Sequence, residues 1–193
     1  MTLGKIIIII IMKIEEHVIE YVRHESDINY FMLLLRQMVA ERAMRGPTYN
    51  IVELGVRTGH STISFLSGLN RANNGNLFSC DIDPCEYAIS YINSANLSSR
   101  WKFTQIDSIS YADLYADSID LIFIDTDHTY ELTKKELETW SPKLKSGGRI
   151  VLHDTLSRPE GVGIAVKEFA QKNKNWRYYN IDVCCGLGIF DKP

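Results

Sequence analysis

The stretch FIDTDHTYE, residues 123–131, closes the apolar run Ile119, Leu121 and Ile122 with two acids and a histidine, Asp125, Asp127 and His128. Ionised groups at the end of a buried segment are costly unless they are paired or used. The same pattern recurs along the chain. Glu53 to Ser61, Asp81 with Asp83, Asp107 with Ser108, and His153 with Asp154 each follow a short apolar run. One acid after a strand is commonly the N-cap of the next helix. Five such groups in register call for a shared rim, where carboxylates, hydroxyls and imidazoles would face one polar, positively charged ligand.

The elements that must position these groups alternate in type. YNIVELG, NLFSCDIDP, WKFTQID, DSIDLIFID and RIVLH have the length and apolar content of buried strands, and STISFLSGLNRA, DPCEYAISYINSAN and TYELTKKELETWSPKL have helical spacing between them. Pro84 suits the first position of its helix, and a short helical piece is expected near residues 109–116. In the helix after Asp125, Tyr130, Thr133, Leu137, Trp140 and Leu144 share one face and belong to the core. Glu131, Lys134, Lys135 and Glu138 form a solvated face with local ion pairs. After a helix at about residues 162–172, WRYYNID and GLGIF read as two closing strands around a turn containing Gly186. Strands alternating with helices imply an α/β fold: a doubly wound, Rossmann-like, mostly parallel seven-stranded sheet with helices on both faces and a C-terminal antiparallel hairpin. In such a sheet ligands sit beyond the carboxyl ends of the strands, near the point where strand order reverses.

The turn after the first strand separates ligand classes. ELGVRTGHS carries Gly55 and Gly59 but has Arg57 where a dinucleotide-binding GxGxxG turn needs glycine. Glu53 would repel a diphosphate and suits an ammonium or sulfonium charge, and Ser61 at a helix start suits a carboxylate. S-adenosyl-L-methionine carries carboxylate, ammonium, sulfonium and adenosine groups together.

With these residues in view the chain resembles the class I S-adenosylmethionine-dependent methyltransferases over roughly residues 48–190, and within them the small O-methyltransferases of catechol type and of bacterial sugar and natural-product chemistry. VELGVRTGHST resembles the first cofactor motif, which implies that Glu53, Gly55 and Gly59 face the methionine part and that Ser61 binds its carboxylate. The resemblance gives Asp81 to the ribose hydroxyls, with Asp83 as a helix cap, and gives Asp107 to the adenine amino group with Ser108 nearby. LKSGGRIVLHDT resembles the element of the fifth strand. In many relatives the acid in the place of Asp125 ligates a divalent metal with the two residues ending the fifth strand, here His153 and Asp154. His153 departs from the usual oxygen ligands and is a poor partner for magnesium, a better one for manganese or another transition ion. His128 stands where catechol-type enzymes have a lysine; with an ordinary pKa near ~6.5 it suits a general base at neutral pH. Asp127 would orient that imidazole or act as base itself. The implied reaction moves a methyl group to a hydroxyl of a small acceptor, a sugar unit or a phenol. Two other classes stay open: a protein that binds the cofactor without transfer, and a nicotinamide oxidoreductase, which Arg57 and Glu53 disfavour.

Composition agrees with this frame. The chain has 193 residues and a formal charge of −3 with no dense basic run, which argues against nucleic acid as main partner. Ile6 to Ile11 and Met12 form an apolar run of seven, far short of the ~20 residues that span a bilayer. No membrane partner is expected, and a cytoplasmic location is. Cys80, Cys85, Cys184 and Cys185 have neither a CxxC nor a disulfide-framework spacing and are expected to be reduced structural thiols. Residues 1–47 are taken as a tail plus two amphipathic helices, in residues 13–25 and 28–45, the second capped by Ser26 or Asp27; they would form a lid or the surface of a homodimer. Residues 48–193 are taken as one cofactor-binding domain.

Overall fold

The computed structural model describes Val18, residues 26–115 and residues 118–193. The isoleucine run and the helix expected over residues 13–25 lie outside the described residues, Val18 apart.

Seven strands form one sheet: β1 (Asn50–Leu54), β2 (Asn76–Asp81), β3 (Trp101–Gln105), β4 (Ile119–Ile124), β5 (Leu144–His153), β6 (Arg177–Ile181) and β7 (Leu187–Asp191). Their order is β3-β2-β1-β4-β5-β7-β6. Pairings among β1 to β5 are parallel, and β7 runs antiparallel to both β5 and β6. This is the doubly wound sheet with a closing hairpin that the alternation of elements predicts. The chain winds outward from β1 through β2 to β3, then returns to the other side of β1 for β4, so strand order reverses between β1 and β4.

Among the described residues the α-helices of more than one residue are α1 (Asn29–Ala43), α2 (His60–Ala72), α3 (Glu86–Ser94), α4 (Ser108–Tyr111, a single turn), α5 (Tyr130–Trp140) and α6 (Ile164–Lys172). Alternation along β4 shows how they are layered. Leu121 and Phe123 point into a core shared with α1, α2 and α3, including Phe31, Leu35, Phe65 and Ile92. Ile122 and Ile124 point into the opposite core, shared with Tyr111, Leu137, Trp140 and Phe169. Because both faces are covered, the central strands are apolar on both faces, as parallel sheets require. Gly68 of α2 lets α1 come close, since a Cβ there would meet the Arg36 carbonyl oxygen at 2.6 Å and Val39 at 3.0 Å.

Several local expectations are corrected. Helix α1 has Ile28 at its N-cap and no side-chain cap; Asp27 Oδ1 accepts from Ile28 N at 3.0 Å instead. Helix α3 begins at Glu86 behind Cys85, so Pro84 precedes the helix and Asp83 does not cap it. Leu144 belongs to β5, because α5 ends at Trp140 before the turn Ser141–Lys143. Two of the charges of α5 reach across to α6, Lys134 bonded to Glu168 at 3.1 Å and Glu138 to Lys172 at 3.3 Å, and Lys134 also donates to Tyr130 one turn back at 2.6 Å. Only Cys80 and Cys85 are buried; Cys184 is exposed and Cys185 partly so. Among the described residues no helix is long and apolar enough to cross a membrane.

Candidate active site

Beyond the carboxyl ends of β1, β2, β3 and β4 lies a cleft of about 330 Å³, at the reversal of strand order where such sheets bind ligands. Five aspartates line it: Asp81, Asp83, Asp107, Asp125 and Asp127. Gly55 and Ser108 are also in its wall, as is Arg57. Gly55 has φ +92°, and a Cβ there would overlap the Asp125 carbonyl oxygen, so the β1 and β4 loops meet closely enough to form one rim only because residue 55 has no side chain.

Asp81 organises the turn. Its Oδ2 accepts from Val56 N at 2.8 Å and Arg57 N at 2.9 Å, and its Oδ1 accepts from Asp83 N at 3.0 Å. Burial works to raise its pKa, but these N–H groups outweigh it and hold the carboxyl below its ordinary value. Arg57 takes the left-handed conformation, φ 50°, that glycine favours, and the backbone donors around it face a carboxylate. A pyrophosphate at this turn would find those donors taken and a negative charge in its place.

The residues expected to contact a cofactor divide into two sets. Gly55, Asp81, Asp107 and Ser108 line the cleft. Glu53, Gly59 and Ser61 do not. Glu53 lies inside β1 with no exposed surface, accepting from Ser61 Oγ at 2.6 Å, Thr62 Oγ1 at 2.9 Å and Ser79 Oγ at 2.6 Å. Trp101 Nε1 donates in turn to Ser79 Oγ at 2.9 Å. Burial pushes the Glu53 carboxyl up to about 7 despite these hydroxyls. Ser61 therefore gives its hydroxyl to Glu53 rather than presenting it to a ligand carboxylate. Gly59 opens α2 and packs on α3, where a Cβ would stand 2.9 Å from that of Ala88. Asp107 also caps α4, accepting from Ile109 N at 3.1 Å and Ser110 N at 2.9 Å.

One member of the site was missed in the sequence. Glu136, on the buried face of α5, accepts from Ser108 Oγ at 2.6 Å and Thr126 Oγ1 at 3.0 Å, tying together the loops after β3 and β4 that wall the cleft. Burial raises its carboxyl to about 7. The signal was present: residue 136 lies between Thr133 and Trp140 on the helix stripe already assigned to the core, where a carboxylate needs partners.

Next to the cleft, four side chains form a closed ring of contacts. His128 Nε2 is 3.0 Å from Asp125 Oδ1 and 2.9 Å from Asp154 Oδ2. His153 Nδ1 is 3.1 Å from the same Asp154 oxygen and 3.5 Å from the same Asp125 oxygen. Ser157 Oγ donates to Asp154 Oδ1. Hydrogen bonds that His128 donates to the Asp125 and Asp154 carboxylates raise it to about 9. Burial alone would lower His153, but the same two carboxylates carry it up to about 10, and the imidazoles hold both aspartates below their ordinary values against burial. The ordinary histidine pKa expected for residue 128 is thus displaced upward. Asp127 is exposed, and Asp125 and Asp154 are the groups that orient His128. His128 and Asp154 both adopt positive φ, 61° and 62°, a strain of ~1–3 kcal/mol each that folded chains keep mainly at functional sites. Gly161 fixes the position of His128 from the other side, since a Cβ there would overlap the His128 carbonyl oxygen. Asp125, His128 and Asp154 place donor atoms within 4.8 Å of one another, as do Asp27, His153 and Asp154.

A family described as "Methyltransferase domain" matches residues 52–155, more than half of the chain. The fold is similar to that of an O-methyltransferase from Bacillus cereus in complex with SAH (S-adenosylhomocysteine), with a TM-score of 0.71, 17% identity, and 94% of this chain and 91% of that one covered. It is similar to SAH-bound PaMTH1, a methyltransferase of Podospora anserina, with a TM-score of 0.69, 17% identity, and 94% and 88% covered. A methyltransferase from Geobacter sulfurreducens gives 0.65, 17% identity, and 81% and 77% covered. At these identities the likeness concerns the fold. In sequence, a 52-residue stretch is 36% identical to part of the protein y4gI of Sinorhizobium fredii, spanning 27% of this chain and 6% of that much longer protein.

Proposed function

For a chain that belongs to the methyltransferase-domain family, we propose transfer of the methyl group of S-adenosyl-L-methionine to a hydroxyl of a small acceptor, a sugar unit or a phenol. The observation that carries this reading is the cleft at the reversal of strand order, lined by five aspartates and adjoining the ring of Asp125, His128, Asp154 and His153. An acidic cleft favours a sulfonium and an ammonium over a diphosphate. Asp81 and Asp107 each engage backbone N–H groups through the carboxyl atoms named above, and a carboxylate has further lone pairs with which to accept ribose hydroxyls or an adenine amino group.

In the transfer step an acceptor oxygen attacks the methyl carbon in line with sulfur; the O–C bond forms as the C–S bond breaks, and the sulfur leaves as a neutral thioether. The hydroxyl must lose its proton during the attack. His128 lines both the carboxylate ring and an open depression formed with Tyr130, Glu160 and Gly161, so it is placed to take that proton from an acceptor lying there. Asp125 and Asp154 stabilise the resulting imidazolium, which is the physical meaning of its raised pKa. That pairing strengthens the base but leaves the imidazole mostly protonated at neutral pH. The proton is therefore taken by the minor neutral fraction, through the nitrogen that does not face the carboxylates, and the rate should climb as pH rises toward about 9.

The donor set also fits a divalent transition ion. An imidazole nitrogen with two carboxylate oxygens suits manganese, iron, cobalt or zinc better than magnesium, which prefers oxygen throughout. Asp125, His128 and Asp154, whose donor atoms lie within 4.8 Å of one another, would hold it in place of the proton on His128, and the charge supplied there would lower the pKa of an approaching hydroxyl.

Incubation of the chain with methyl-labelled cofactor and a panel of sugars and phenols, with manganese, with magnesium and with a chelator, tests the reading. Label appears on an acceptor hydroxyl, and His128→Ala lowers the rate by ~10²–10⁴. Binding of the cofactor without transfer to any acceptor would overturn it.

A further inference from the structure

The ring of carboxylates and imidazoles engages only one nitrogen of His153. Nδ1 contacts Asp154 and Asp125, while Nε2 is buried and has no hydrogen-bond partner among the described residues. A buried polar atom without a partner costs ~1–3 kcal/mol, so such atoms call for an explanation. His153 itself is 1% exposed, lying at the end of β5 with Phe31 packed edge-on 5.7 Å away.

Two further segments converge on this histidine. Asp27, just ahead of α1, brings a carboxylate oxygen within 4.8 Å of donor atoms of His153 and Asp154. Cys185, in the turn between β6 and β7, brings its Sγ to 3.9 Å from Asp27 Oδ2. That turn is fixed next to Asp154, because Leu156 N and Ser157 N both donate to the Cys185 carbonyl oxygen, at 2.9 and 3.2 Å. Oxygen and sulfur donors on one tetrahedral zinc, at ~2.1 and ~2.3 Å from the metal, stand ~3.5 Å apart. The Asp27–Cys185 separation is a few tenths of an ångström wider. Asp27 is exposed and Cys185 partly exposed, so an ion has a path in; Cys185 stands outside the group of donor atoms within 4.8 Å of one another and would join it by a small closing of the β6–β7 turn.

We infer that Asp27, His153, Asp154 and Cys185 form a second cation site, for a zinc-like divalent ion, distinct from the Asp125–His128–Asp154 group and sharing Asp154 with it. Imidazole, thiolate and carboxylate together select a borderline-soft ion over calcium or magnesium. Its consequence is structural: one ion ties the start of α1, the end of β5 and the β6–β7 turn together beside the active site. The site does not depend on methyl transfer.

The test uses the full chain, metal-free and reduced, titrated with cobalt(II) as a spectroscopic substitute for zinc. Calorimetry gives the number of ions bound, and absorption reports thiolate-to-cobalt charge transfer in the near ultraviolet. The expected result is two equivalents, one of which carries that band; Cys185→Ser removes the band, and Asp27→Ala removes that equivalent. Cys184→Ser keeps both, because the Cys184 sulfur approaches the Asp27 backbone oxygen, at 3.8 Å, rather than its carboxylate, and a serine hydroxyl can still donate to the Cys185 sulfur that Cys184 meets at 3.6 Å. Zinc raises the unfolding temperature of the parent chain and loses that effect in Asp27→Ala. Cobalt bound without the band, or a band and stoichiometry unchanged in Cys185→Ser and Asp27→Ala, overturns the inference. A single equivalent that carries the band and disappears in Asp27→Ala upholds this site and counts instead against metal assistance at Asp125 and His128.

Discussion

Glu53 is a carboxylic acid with no exposed surface whose partners are all hydroxyls, and burial lifts it from an ordinary 4.5 to about 7. Between those two values the folded chain keeps a proton that the unfolded chain has released. Stability must therefore be fully present below pH ~4.5 and be lost as pH rises toward 7. At ~1.4 kcal/mol per unit, the interval of 2.5 units corresponds to about 3 kcal/mol. Glu53→Gln has the same shape and no titration, so it should lack this loss. Denaturant unfolding of both chains, followed by circular dichroism at pH 5 and pH 8.5, isolates most of the contribution: the stability of the variant relative to the parent should rise by about 2–3 kcal/mol between the two pH values, or ~5–10 °C in melting temperature for a chain of this size. Taking this difference removes the separate pH dependence of Glu136 and of the histidines. Parallel stability curves for the two chains would refute the reasoning, because they would mean that Glu53 is ionised in the fold at no cost.

Three further outcomes follow from the geometry. Gly161→Ala places a Cβ on the His128 carbonyl oxygen and should reduce kcat at least tenfold while leaving calorimetric affinity for S-adenosylhomocysteine unchanged; an unaltered kcat contradicts the role of His128. Gly68→Ala forces α1 away from α2, where a Cβ would come within 2.6 Å of a backbone oxygen, and should cost ~1–3 kcal/mol in denaturant unfolding without changing the cofactor cleft. Phe123→Ala removes a fully buried ring that stacks edge-on with Phe65 at 5.2 Å, and should cost ~3–5 kcal/mol in the same assay.

The fold was legible because its signals are local and repeated. Apolar runs of strand length, each punctuated by a polar strand end, fix a βαβ series, and the handedness of crossovers leaves little choice of topology. Strand-end residues Asp81, Asp107, Asp125, His128, His153 and Asp154 could be named for the same reason, since a parallel sheet brings its carboxyl ends to one edge. Side-chain direction was less legible. Glu53 sits within β1 rather than in the turn after it, and the hydroxyls that enclose it come from α2 and β2, a pairing set by strand register. Pro84 and Asp83 suggested a helix start, but the bonds from Val56, Arg57 and Asp83 to Asp81 shape that turn and delay the helix to Glu86. The unperturbed histidine value assumed for residue 128 failed because its two carboxylate neighbours come from different strands. Asp27 and Cys185 lie 158 residues apart. Nothing in the local pattern of either announces the other.

The central claim is that the acidic cleft at the reversal of strand order holds S-adenosyl-L-methionine, with Asp81 at its sugar. Calorimetric titration of the chain and of Asp81→Asn with S-adenosyl-L-methionine and with a nicotinamide dinucleotide tests it most directly. The account predicts one equivalent of S-adenosyl-L-methionine bound, with affinity falling at least tenfold in the variant, and little or no binding of the dinucleotide. Equal affinity in parent and variant, or tighter binding of the dinucleotide, would contradict it.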